Sequence, residues 1–84
     1  MITIVKYEAE WCHICKGIEG VLKTVHYDQR KIKRIDITNN DALAEELGIR
    51  NLPLFIIRDE KGKELERFGA VTTEEFNKIV DKYE

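Results

Sequence analysis

The stretch MITIVKYEAEWCHICKGIEGVLKTVHY, residues 1–27, decides the fold. ITIVKY at 2–7 is almost all apolar and rich in β-branched side chains, the pattern of a strand buried on both faces of a sheet that helices cover. From Cys12 the period changes. Cys15, Ile18, Leu22 and Val25 recur at steps of three and four, with Ile14 and Val21 widening the same face, which predicts an amphipathic helix from Cys12 to about Tyr27.

Beyond this unit, IKRIDI at 32–37 reads as a second strand. Asn39, Asn40 and Asp41 then offer N-caps for a short helix carrying Leu43, Ala44 and Leu47, which Gly48 closes. NLPLFIIRDEKGKELERF at 51–68 contains two strand-like runs separated by DEKG, a hairpin turn with its glycine placed late. Thr72 and Glu75 have the spacing of a capping box ahead of Phe76, Ile79, Val80 and Tyr83, which share one side of a last helix. The order is βαβαββα. Alternation of strand and helix implies parallel pairing through right-handed crossovers, and the last two strands add an antiparallel edge. The fold class is therefore α/β, a four-stranded mixed sheet flanked by helices.

With 84 residues, the chain is expected to form a single domain, residues 1–84. At 43% hydrophobic and 36% charged residues it has enough apolar material for a packed centre, which excludes a disordered chain. The formal charge of −2 lacks the basic excess that nucleic acid or an anionic membrane surface requires. No apolar run approaches the roughly 20 residues of a membrane span, and the N-terminal residues lack the basic start and long apolar middle of a signal peptide. The expectation is a cytoplasmic protein acting as a monomer.

Cys12 and Cys15 are the only cysteines. A bridge between them closes too short a loop to restrain much unfolded-chain entropy, and a closed zinc site lacks two further good ligands beyond His13 and His26. No metal is expected. Positions i and i+3 of a helix hold their Cβ atoms roughly 5–6 Å apart, close to what a disulfide needs. Cys12 lies at the helix start, where free N–H groups carry about half a positive charge, whereas Cys15 belongs to the apolar stripe. Thiolate character is favoured at Cys12, so Cys12 is the expected nucleophile on a target disulfide and Cys15 the thiol that resolves the mixed disulfide.

These residues also carry a resemblance. AEWCHICK at 9–16 resembles the active-site segment of the thioredoxin superfamily, IRNLP at 49–53 its proline loop, and FGAVTTEEF at 68–76 the Gly-Ala loop entering its last helix. The likeness covers essentially the whole chain, without the first strand and helix of full-length thioredoxin, and implies the minimal thioredoxin-like fold. It implies a cis Pro53 beside the cysteines, a substrate strand pairing with the Leu52 backbone, Gly69 flanking the peptide groove, and Trp11 and Ile14 as further substrate-facing positions. It implies protein disulfides as substrates and recharging by a thioredoxin reductase or by glutathione, with the Cys12–Cys15 disulfide as the redox group and no other cofactor. Lys16 and Arg50 are the candidates for gripping glutathione carboxylates, and they are few enough that the reductase route is preferred.

The chain departs from the family it resembles at three places. His13 and Ile14 stand between the cysteines where thioredoxins have Gly-Pro, and an imidazolium at His13 would stabilise the neighbouring thiolate. The expected potential is then less negative than the roughly −270 mV of thioredoxin, toward the about −180 mV of protein disulfide isomerase. Lys6 stands where thioredoxin buries an aspartate. Pointing inward it favours the Cys15 thiolate or takes a proton; pointing outward it snorkels beside Glu8 or Arg34. Arg34 replaces the lysine that neighbours that aspartate, so a different charge arrangement serves the site. The function that these residues support is thiol-disulfide oxidoreduction. Its alternatives are a glutaredoxin-like iron-sulfur or metal-binding protein and a non-catalytic module that docks peptides through Leu52 and Pro53.

Overall fold

The computed structural model describes residues 1–84. It contains strands β1 (Thr3–Glu8), β2 (Lys33–Asp36), β3 (Leu54–Arg58) and β4 (Glu64–Phe68), with helices α1 (His13–Leu22), α2 (Asp41–Leu47) and α3 (Thr73–Asp81). The strands form one mixed sheet of order β2–β1–β3–β4. β1 pairs parallel with β2 and antiparallel with β3, and β3 pairs antiparallel with β4, as the βαβαββα pattern requires. Being flanked on both sides, β1 is buried from Ile4 to Tyr7, and its alternate residues serve two layers. Ile2 and Ile4 join Ile18, Leu22, Phe55, Ile57, Phe76 and Val80 beneath α1 and α3, while Val5, Tyr7, Ile37 and Ile56 form the opposite layer against Leu43, Ala44 and Leu47 of α2.

Local chemistry sets the element ends. Asn40 caps α2 by accepting from the Leu43 N–H at 3.1 Å, and Gly48 ends that helix in the left-handed region at φ 68°. Thr72 and Glu75 make the reciprocal capping box of α3. In the hairpin, Asp59 Oδ1 accepts from the Lys61 and Lys63 N–H groups, and Gly62 takes φ 85°.

Helix α1 is shorter than its apolar spacing predicts, ending at Leu22 rather than near Tyr27. Past that point side chains replace the i→i−4 ladder. Thr24 Oγ1 donates to the Val21 carbonyl and meets Thr73 Oγ1 at 2.6 Å, and the His26 N–H is taken by Asn77 Oδ1 of α3. Val25 and Tyr27 still pack on the core, so their periodicity is real although their backbone is not helical. A short 3-10 turn, Gln29–Lys31, capped by Asp28, then leads into β2.

At the core centre, Phe55 stacks on Phe68 at 5.1 Å between centroids, and Phe76 presents its edge to both at 5.8 and 5.7 Å. Phe76 has no exposed surface. Phe76→Ala is expected to cost about 3–5 kcal/mol in urea unfolding with the disulfide intact. A loss under about 1 kcal/mol would show that α3 does not depend on this ring.

Candidate active site

β1 delivers the chain to the N-terminus of α1, and the cysteines sit at that junction. Cys12 is the N-cap: its backbone is extended (φ −91°, ψ 103°) and its Sγ accepts from the Cys15 N–H at 3.1 Å. Cys15 follows within the first turn, and the two form a disulfide with Cα atoms 5.3 Å apart. Both are mostly covered, packed with Ala9 and Leu52, and Cys12 is the more open at 7% exposure against 2%. They open onto different surroundings. Cys12 borders a groove of about 580 Å³ with Trp11, Ile14, Ile49 and Leu52, whereas Cys15 borders a recess of about 370 Å³ lined mainly by charged side chains.

Trp11 and Ile14 are largely exposed, at 67% and 60%, and flank Cys12 as an apolar rim. His13 is the first residue of α1 and faces solvent. The Leu52–Pro53 peptide is cis, and Pro53 is buried. Gly69 lies against it: a Cβ added there would stand 3.7 Å from the Pro53 carbonyl oxygen. The backbone N–H and C=O of Leu52 make no hydrogen bond within the chain. Lys16 borders the charged recess beside Cys15, and Arg50 borders the groove beside Cys12.

Beneath Cys15 lies the ammonium of Lys6. This side chain points inward with no exposed surface, so it does not snorkel. Its Nζ donates to the Cys15 carbonyl at 2.8 Å and to Glu19 Oε2 at 2.5 Å, and pairs with Glu8 Oε1 at 2.8 Å. Arg34, next to Lys6 in the β1–β2 register, donates from Nη2 to Glu19 Oε1 at 2.8 Å and from Nε to Glu19 Oε2 at 3.2 Å. Burial works against ionisation of Glu19, but the hydrogen bonds from Arg34 and Lys6 outweigh it and hold its carboxyl below the ordinary value near 4.5. Glu19 was not among the site residues expected from sequence. Its signal was a carboxylate four residues after Cys15, on the edge of the stripe formed by Cys15, Ile18 and Leu22 and facing a strand that carries an inward lysine.

Two sulfurs at a helix start, joined as a disulfide whose Cα atoms are 5.3 Å apart, define a thiol-disulfide oxidoreductase. Residues 1–82 match the thioredoxin family model, and the chain belongs to the thioredoxin family. It is 28% identical over 82 residues to thioredoxin of Pseudomonas aeruginosa, covering 94% of this chain and 76% of that one. It is 36% identical over 66 residues to the thiol:disulfide interchange protein DsbD of Actinobacillus pleuropneumoniae, 68% of this chain but 11% of that protein. Among solved structures, the C-terminal domain of Neisseria meningitidis DsbD in its oxidised form superposes with a TM-score of 0.82 at 25% identity, covering 99% of this chain and 80% of that one. A thioredoxin from Nicotiana alata gives 0.77 at 28% identity, covering 98% and 72%. No helix is long and apolar enough to cross a membrane.

The Glu19 carboxylate gives the acid limb of stability its sign. Because its pKa is lowered on folding, its contribution is present above the ordinary carboxylate value and is lost as pH falls through the folded value. Thermal melts of the oxidised protein should show Glu19→Gln less stable than the parent near pH 7, the gap closing below about pH 4. A gap that stays constant from about pH 7 to pH 3 would contradict this coupling.

Proposed function

We propose that the chain reduces protein disulfides, with Cys12 as the attacking thiolate and Cys15 as the resolving thiol. The observation that carries this order is the division of surroundings: Cys12 caps the helix and borders an apolar groove, while Cys15 is deeper and borders the charged recess. Helix N–H groups favour negative charge at Cys12. The exposed His13 next to it adds to that preference when protonated, which moves the potential toward the less negative side of thioredoxin.

In the exchange, the Cys12 thiolate attacks one sulfur of the target disulfide, and the other target sulfur leaves as a thiol after taking up a proton. Cys15 loses its proton, attacks the Cys12 sulfur and displaces the second target thiol. The target gains two electrons and two protons, and the pair is left as a disulfide. A target strand is held by pairing with the free Leu52 peptide, against Pro53 and Gly69, with its side chains over Trp11 and Ile14. The dithiol is regenerated by a flavin-dependent thioredoxin reductase in a reducing compartment such as the cytoplasm. That donor is preferred to glutathione because Lys16 and Arg50 line different recesses rather than one basic site for its carboxylates. The disulfide itself is the only redox group the cycle requires.

Two experiments check this reading. Cys15→Ser, incubated with a disulfide-bonded protein such as insulin, should accumulate a mixed disulfide through Cys12, and Cys12→Ser should not; the reverse result would exchange the two roles. With NADPH as the electron source, purified thioredoxin reductase should sustain insulin reduction at a rate at least about tenfold above a glutathione and glutathione reductase system, the factor that about 1.4 kcal/mol in barrier would give. Faster turnover with glutathione would overturn the donor assignment.

A further inference from the structure

We propose that Glu19 is a positioning residue that sets the redox balance of the cysteine pair by offsetting the charge of the buried Lys6 beneath Cys15 and of the more exposed Arg34 beside it. The inference rests on the exchange reading above and concerns which groups tune it. Lys6 and Arg34 are paired neighbours on adjacent strands, so two positive charges lie side by side. Glu19 is the side chain that bonds both, whereas Glu8 touches Lys6 alone. The four side chains balance, two cations against two carboxylates, and the sum is neutral only with Glu19 ionised.

Lys6 has limited means of acting on Cys15. An ammonium has three N–H donors and no lone pair, and three oxygens already surround this one: the Cys15 carbonyl and the carboxylates of Glu8 and Glu19. The Cys15 carbonyl and Glu19 Oε2 take two of its N–H groups and Glu8 Oε1 pairs with it at 2.8 Å, so the ammonium is held by oxygens, and no proton is accepted there while it stays charged. Lys6 therefore acts through its hold on the Cys15 carbonyl and through its field, which Glu8 and Glu19 together offset. With Glu19 neutral, the cluster carries one surplus positive charge beside the cysteines. Thiolate is then stabilised in the reduced state, the disulfide gains nothing, and the equilibrium moves toward the dithiol. With Lys6 replaced by an apolar side chain, the surplus is negative and the equilibrium moves the other way. Glu10, Lys16 and Asp36 also line the recess, but they are common to all the variants and cancel in the comparison.

The test is the fraction of reduced protein in glutathione redox buffers from about pH 6 to pH 9, the range in which free thiols ionise. Glu19→Gln should raise the equilibrium constant for the reduced form by about three- to tenfold, the upper figure corresponding to about 30 mV for a two-electron couple. Lys6→Met should lower it. Glu8→Gln should act in the same direction as Glu19→Gln and less strongly, and it keeps the test open if Lys6→Met does not fold. The size of each shift should grow with pH as thiolate forms. A purely structural role would weaken all three variants without giving the shifts opposite signs. No shift in Glu19→Gln, a Lys6→Met shift of the same sign as Glu19→Gln, or a Glu8→Gln shift opposite to it or larger would overturn the proposal while leaving the exchange reading intact; a parent protein that neither equilibrates with glutathione nor reduces insulin would remove the exchange reading itself.

Discussion

A lysine ammonium buried without counter-charge is among the most expensive groups a protein interior can hold, and Lys6 lies in the middle of the central strand with no exposed surface. Much of the site follows from satisfying it. Glu8 sits two residues along the same strand and so shares its face, giving one carboxylate at no topological cost. The second must come from another element, and α1 brings Glu19 only when the helix lies across β1 with Cys15 one turn earlier on the same side. The remaining N–H reaches the Cys15 carbonyl. The orientation of the first turn of α1 is thus tied to the central strand by ion pairs as well as by apolar packing.

That dependence explains why the site was only partly legible. Features dictated by a few adjacent residues were readable: Asn40 as a cap, Gly48 as a left-handed terminus, the Thr72–Glu75 capping box, the Asp59–Gly62 turn and Cys12 at a helix start. The far end of α1 was not, because Thr24 and His26 are held by Thr73 and Asn77, residues about fifty positions away. Apolar spacing reports which side chains are buried, and Val25 and Tyr27 are indeed packed, but it does not report whether the backbone between them keeps its helical ladder. Glu19 belongs to the same class. Sequence showed that Lys6 departs from the family pattern and that Arg34 accompanies it, but not that one carboxylate from the helix would bond both.

The two sides of the disulfide differ in how completely their polar groups are satisfied. Under Cys15, the Lys6 ammonium donates to the Cys15 carbonyl and Glu19 and pairs with Glu8, and the Glu19 carboxylate is bound through both of its oxygens. Around Cys12 the satisfaction is relaxed: the Leu52 peptide has no internal partner, and Trp11 and Ile14 spread apolar surface into solvent. Unpaired backbone beside exposed apolar side chains is what a bound strand can complete. A saturated ion cluster, by contrast, has nothing to offer a ligand and resists displacement. The same short helix turn therefore joins a face built to be completed by a partner to a face already complete.

This asymmetry bears on how one fold can hold a dithiol couple with a lysine where its relatives bury an acid. Inverting a single buried charge would leave either an unpaired ammonium or a thiol pair in a strongly positive field, and both outcomes are costly to stability or to reducing power. Compensation on the strand alone is insufficient, since Glu8 offsets Lys6 but leaves Arg34 beside it unbalanced. Glu19 from the helix bonds both cations and, together with Glu8, brings the group to neutrality one turn beyond Cys15. The lysine at position 6 is thus held in a group that includes position 19, and the arrangement of charge around the disulfide belongs to that group rather than to any one residue.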